Sequence, residues 1–192
     1  MVYSREEMFH YGRGRHKQHM QFKLGVDRDG RIRAFQSEIY LDGGAYTSFG
    51  VATAYYAGSL MPTLYHIPNY KYDGYRVFTN KLLSGPLYGH CMPQMRFALE
   101  SVLDDMAVEL GYDPVDIRMI NSLEAGEKTA DGKKITTWGF KETVQAVADS
   151  LDFKNKFGKG RQGRILRGVG IGSNPGFVSG RLGGHEGSAA IV

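Results

Sequence analysis

The side chains of this chain best suited to chemistry crowd into one short stretch, Ser84-Gly85-Pro86-Leu87-Tyr88-Gly89-His90-Cys91-Met92-Pro93-Gln94. A phenol, an imidazole and a thiol follow one another there, at Tyr88, His90 and Cys91. Gly85, Gly89, Pro86 and Pro93 fix an irregular backbone path for them. A loop of this kind, held by a rigid scaffold, is where binding chemistry is usually placed. The other candidates are weaker. His10, His16 and His19 are too irregularly spaced, on a strand-like segment, to read as a metal set. Gly168-x-Gly170-x-Gly172 has neither the lysine nor the strand–turn–helix context of a phosphate loop, and reads as a strand interrupted for close backbone approach. Gly12-Arg13-Gly14-Arg15 is a single copy of an arginine–glycine element, weak support for RNA binding.

The loop needs elements to hold it, and the pattern supplies them. Residues 16–26 read as a strand with Met20, Phe22, Leu24 and Val26 on one face; residues 31–42 are its partner, with Ile32, Ala34 and Phe35 alternating less cleanly. Asp27-Arg28-Asp29-Gly30 is the hairpin turn. Gly43 and Gly44 allow a sharp departure from the sheet. Residues 51–60 are a short helix or a buried loop, Ile67-Pro68-Asn69 is a turn, and residues 70–79 return as a strand rich in tyrosine and valine.

After the loop comes a helix over residues 93–111, with Phe97, Ala98, Leu99, Val102, Met106, Val108 and Leu110 covering one broad face and Gly111 as its stop. Asp113-Pro114 opens a second helix running to about Leu123, and a third covers residues 140–151 with Val144, Val147 and Ala148 inward. Residues 124–136 are a surface loop, residues 153–164 are basic and exposed, and residues 167–173 and 187–192 read as further strands. The expected architecture is α+β, antiparallel or mixed hairpins with packed helices. Residues 1–150 form the region carrying loop 84–94; residues 151–192 form a connector and the first strands of a following region. Both ends break off abruptly, which predicts a piece of a longer protein.

Composition narrows the class. The 192 residues are 42% hydrophobic and 23% charged, ordinary for a globular chain with its own core. One cysteine excludes an internal disulfide, an iron–sulfur cluster or a multi-cysteine zinc site, and fits a reducing, cytoplasmic compartment. No apolar run approaches a membrane span, and the polar start is no signal peptide. The net charge of +4 gathers in residues 13–23 and 154–167, which read as solvated or subunit-facing surface rather than a nucleic-acid site.

A series of landmarks runs in order along the chain. They are Tyr3-Ser4-Arg5-Glu6-Glu7-Met8-Phe9, Gly25-Val26-Asp27-Arg28-Asp29-Gly30-Arg31-Ile32, Leu41-Asp42-Gly43-Gly44-Ala45-Tyr46 and Tyr65-His66-Ile67-Pro68-Asn69. Thr79-Asn80, Pro93-Gln94, Glu100-Ser101, residues 111–118, Asn121, Ser179-Gly180 and Gly187-Ser188-Ala189 follow. In order and spacing this series resembles the large subunit of the molybdenum hydroxylases, the xanthine dehydrogenase, aldehyde oxidase and 4-hydroxybenzoyl-CoA reductase family, and the likeness spans nearly the whole chain.

The resemblance implies that the glycine loop stands beside the molybdenum cofactor, molybdopterin, with Pro86, Leu87, Tyr88 and Gly89 on the cofactor side and His90, Cys91 and Tyr56 toward a substrate. Tyr88 stands where the family places an arginine, and Tyr56 near the place of a second one, so a purine substrate loses support and an aromatic or acyl one gains it. The implied parent reaction is hydroxylation with oxygen from water, or reductive dehydroxylation in the reverse sense, of an aromatic, N-heterocyclic, aldehyde or acyl-CoA substrate. Electrons would pass to iron–sulfur and FAD partners. The family's catalytic glutamate lies further along the subunit; Glu186 is in the wrong place to be it, so no catalytic residue and no metal ligand is assigned here. The isolated chain is therefore expected to hold no cofactor tightly and to be inactive. A non-catalytic binding or assembly module that keeps the fold without the chemistry is the alternative.

Overall fold

The computed structural model describes residues 2–159, 161–162 and 164–175. Its elements are α1 (Arg5–Tyr11), β1 (Gln18–Val26), β2 (Ile32–Asp42), α2 (Gly50–Leu60), a 3-10 turn at Met61–Thr63, β3 (Tyr70–Val77), α3 (Met92–Leu110), α4 (Pro114–Asn121), α5 (Phe140–Leu151), α6 (Phe153–Lys156), β4 (Arg161–Gln162) and β5 (Ile165–Leu166). The main sheet is mixed: β1 and β2 are antiparallel, β2 and β3 parallel, in the order β1-β2-β3. The fold is α+β, as the pattern of elements predicts.

The hairpin register explains the weak alternation of β2. It slips by one residue between Gly25 and Val26, so Ile32 and Phe35 both turn inward before Ser37, Ile39 and Leu41 resume the two-residue period. Ala34, expected on the inner face, is exposed. The bend is fixed from outside: the Asn121 carboxamide accepts the Ile32 N–H at 2.8 Å and donates to the Gly30 carbonyl at 2.7 Å, joining α4 to the turn. Gly30 holds a φ of 78°, and a Cβ there would stand 2.9 Å from Ile117 Cδ1.

The core lies between the inner sheet face, α2 and α3: Phe35, Ile39 and Leu41 meet Ala57, Met61, Met95, Leu99 and Leu103. Along α3 the buried ridge is Met95, Leu99, Leu103 and Ala107, flanked by Arg96 and Glu100. This corrects the expected face. Phe97 and Val108 are 75% and 62% exposed, and Leu110 is exposed at the helix end. Two charged residues displace them from the interior because the charges satisfy one another. Glu100 accepts from Arg96 (2.7 Å), from Tyr65 Oη (2.8 Å) and from Arg118 Nε (2.8 Å), while Arg118 also reaches Asp104 (2.7 Å).

A helix, α1, occupies the first residues, with Ser4 and Glu7 forming a reciprocal capping box. Three other expectations are revised. In α5, Val144 and Ala148 are buried but Val147 is largely exposed. Residues 153–164 are not uniformly exposed: Phe153 is buried, stacked on Phe157 at 5.3 Å beside Val115 and Val144. Residues 167–173 form no strand; Ser173 docks by its backbone, donating to Glu100 (3.0 Å) and accepting from Arg96 (3.1 Å). The strand expected at 187–192 lies outside the described residues.

Candidate functional site

Loop 84–91 is held at its start by the turn that leaves β2. Ser84 N–H donates to the Gly43 carbonyl at 3.1 Å, Ala45 N–H to Lys81 at 3.0 Å and Thr79 N–H to Gly44 at 3.1 Å. Gly44 (φ 71°) must be glycine, since a Cβ there would stand 2.1 Å from the Leu82 carbonyl oxygen. Asp42 accepts from the Thr79 hydroxyl and the Lys81 ammonium, and those bonds hold its carboxyl down at about 2. On the other flank, Gly85 N–H donates to the Gly14 carbonyl at 3.0 Å.

The loop ends in a run of left-handed backbone: Tyr88 (φ 45°), Gly89 (93°), His90 (49°) and Cys91 (75°). Three of the four carry side chains, and each left-handed non-glycine residue costs on the order of 1 kcal/mol. The run inverts the chain so that Met92 N–H closes on the Gly89 carbonyl at 2.9 Å and α3 starts at once. It also sorts the three chemical groups. Tyr88 projects outward, 84% exposed. His90 turns back toward α2, edge-on to Tyr56 at 5.2 Å and to Phe49 at 6.3 Å. Cys91 goes into the core, where its sulfur accepts from the Gln18 carboxamide. Burial pushes the Cys91 thiol up to about 12, against the opposing effects of that hydrogen bond and of Arg15, so it stays protonated and inert at neutral pH.

Tyr56 and His90 are thus brought together by an aromatic contact. α2 carries Tyr56 and is fastened to β3 by two phenols, Tyr70 Oη to the Gly58 carbonyl (2.9 Å) and Tyr72 Oη to the Ala54 carbonyl (2.7 Å). Of the residues expected on the cofactor side, Pro86 is buried while Leu87, like Tyr88, is exposed; Tyr56, expected toward a substrate, is buried. Glu186, Ser179-Gly180 and Gly187-Ser188-Ala189 lie outside the described residues.

One residue escaped the sequence reading, and the role of another did. Arg76, on β3, places Nη2 2.8, 3.1 and 3.2 Å from the carbonyl oxygens of Gly43, Tyr46 and Ser84. Its Nε donates to His16 Nε2 at 3.2 Å. An arginine can only donate, so His16 Nε2 accepts and the imidazole carries its proton on Nδ1. Burial, and then the charge of Arg76, press His16 down to about 4, with Asp42 opposing weakly. The available signal was the register: Arg76 pairs with Leu41, which puts it on the inward face of the strand.

Comparison with known proteins gives this arrangement a family. A model of the molybdopterin cofactor-binding domain matches residues 1–122. The xanthine dehydrogenase molybdenum-binding subunit of Escherichia coli O157:H7 is 34% identical over 171 residues, covering 88% of this chain and 23% of that protein. The nicotinate dehydrogenase large molybdopterin subunit of Eubacterium barkeri is 37% identical over 150 residues, covering 78% of this chain and 35% of that protein. The chain therefore spans about a quarter to a third of these relatives. Among solved structures, quinoline 2-oxidoreductase of Pseudomonas putida 86 superposes with a TM-score of 0.73 at 22% identity, over 80% of this chain and 20% of that one. Aldehyde oxidoreductase of Desulfovibrio gigas gives 0.68 at 24%, over 76% and 17%; at such identities the likeness is one of fold. With its family model covering more than half of the sequence, the chain belongs to the molybdopterin cofactor-binding domains.

Proposed function

We propose that this chain is part of the molybdenum-binding subunit of an oxidoreductase, and that loop 84–91 with α2 forms one wall of its cofactor and substrate pocket. The observation that carries the reading is the left-handed run at Tyr88–Cys91 with Tyr56 packed against His90. The donor set fits an anionic, oxygen-rich cofactor. The backbone N–H groups of Leu87, Tyr88 and Gly89 donate to no backbone carbonyl among the described residues. The Tyr88 phenol is exposed beside them, and the positive end of the 19-residue α3 lies directly behind. Leu87, Tyr88 and Gly89 would face molybdopterin, with the buried Pro86 fixing the backbone behind them. When bound, that group supplies a two-electron redox centre at which oxygen from water can be transferred.

The chain's own residues would do the placing. His90 would present its ring to a flat substrate, Tyr56, only 5% exposed, would support that ring from behind rather than touch the substrate, and Cys91 fills the space beneath without ionising. Tyr88 gives one neutral hydrogen bond where an arginine would give a charge, which favours an uncharged aromatic or acyl group over a purine. Iron–sulfur and FAD partners, and a cytoplasmic setting, belong to the same proposal; no helix among the described residues is long and apolar enough to cross a membrane. The test is metal content and turnover. The purified chain alone should hold no stoichiometric molybdenum by mass spectrometry. Within its complete subunit, turnover should depend on molybdenum, with His90→Ala raising KM roughly tenfold. Molybdenum-free turnover, or an unchanged KM, would refute the pocket reading, and a complete subunit without turnover would favour the binding-module alternative.

A further inference from the structure

The pocket elements lie on two separate loops, and nothing in their own sequences fixes the distance between them. Phe49 and Gly50 open α2 at the end of the turn that starts at Gly43, while His90 ends the loop that starts at Ser84. Between these loops sits one guanidinium. A Cβ at Gly43 would stand 2.6 Å from Arg76 Cζ, and a Cβ at Gly50 would stand 2.4 Å from Arg76 Nε. Two glycines from one turn thus make a cradle that any other residue would fill. On its outer side, Arg76 lies 5.7 Å from the Phe78 ring centroid.

We propose that Arg76 is the positioning residue of this pocket: seated between Gly43 and Gly50, its planar fork ties the turn carrying Phe49 and α2 to the start of loop 84–91, with His16 as the acceptor that orients it. The two N–H groups of Nη2 are shared among the three carbonyls while Nε is a separate donor to His16; a lysine offers one nitrogen and cannot occupy both places at once. The consequence for specificity is that the spacing of Phe49, Tyr56 and His90 is set from β3, by a residue that touches no substrate. This rests on the pocket reading above, and the experiment separates the two.

Hydrogen exchange of the 192-residue chain should be followed in wild type, Arg76→Lys, Arg76→Met and Gly50→Ala. In Arg76→Met, exchange of the Ala45, Ser84 and Gly85 amides should rise roughly tenfold or more while the β1–β2 ladder changes less than about twofold. Arg76→Lys should fall between, and Gly50→Ala should reproduce Arg76→Met with Arg76 still present. Unchanged protection at Ser84 and Gly85, or a loss spread equally into the β1–β2 ladder, overturns the proposal. In the complete subunit, Arg76→Lys should raise KM more than it lowers kcat. Local exchange without any KM change would keep the clamp and remove the pocket reading instead.

Discussion

At the scale of single residues, position within the backbone decides chemistry more than residue type does. Tyr88, His90 and Cys91 are sequence neighbours, yet one is exposed, one is held against aromatic rings and one is buried as an inert thiol. The stretch was legible as a site because glycine, proline and polar side chains alternate there. The fate of each side chain was not, because it depends on left-handed φ values that only the surrounding packing imposes. His16 is the converse case: it reads as one histidine of an irregular trio, and its role appears only once β3 brings Arg76 beside it. That role carries a pH dependence. The folded-state value is depressed to about 4, so between there and 6.5 the unfolded chain binds a proton that the folded one refuses, and stability falls as pH drops through that window. The wild type should lose on the order of 1–3 kcal/mol more than His16→Gln between pH 6.5 and 4, measured by urea denaturation. Parallel curves for the two proteins would show that His16 is not the group involved.

At the scale of elements, α3 shows how a charge network can overrule hydrophobic periodicity. Phe97 and Val108 satisfy the apolar pattern but face outward, because Arg96 and Glu100 occupy the inward flank at the i, i+4 spacing and are met there by Tyr65 and Arg118. One-dimensional patterning has no means of knowing that a partner for Glu100 will arrive from α4, eighteen residues later. Burial and the Glu100 charge hold Tyr65 as an un-ionised donor well above the usual phenol range. Glu100→Gln would leave the Arg96 guanidinium buried with a neutral partner and Arg118 with Asp104 alone, and should cost about 3–5 kcal/mol. Phe97→Ser, a loss of a large apolar side chain on paper, should change stability by less than about 0.5 kcal/mol. Urea midpoints for the two variants check the ranking, and a larger loss from Phe97→Ser would reverse the account of which face is buried. By contrast, the bounds of α5 and the pairing of β1 with β2 were readable, since their ends carry local turn chemistry; the inward faces were read less well, with Val147 and Ala34 exposed.

At the scale of the whole molecule, what could be read was order. The landmarks from Tyr3 to Asn121 keep the sequence of a molybdenum-hydroxylase subunit, and the family model covers the same span. Which strand would pair with which was less accessible, because a parallel partner leaves no hairpin turn to announce it. That parallel pairing has a consequence in time. β1 and β2 are joined by a tight turn closed by Gly30 N–H on Asp27, so their ladder can zip from a local nucleus. β3 joins β2 only after residues 43–69, α2 included, have been laid over the sheet, and that longer closure must be completed before any β2–β3 bond compensates for it. In pulse-labelled refolding, the His19, Gln21 and Lys23 amides, which face β2, should gain protection before those of Asp73 and Tyr75; simultaneous protection would contradict this order. Since Arg76 lies at the far end of β3, the pocket would be the last part of the chain to take shape, and a nascent chain would remain unable to receive a cofactor until its hydrophobic centre was already complete.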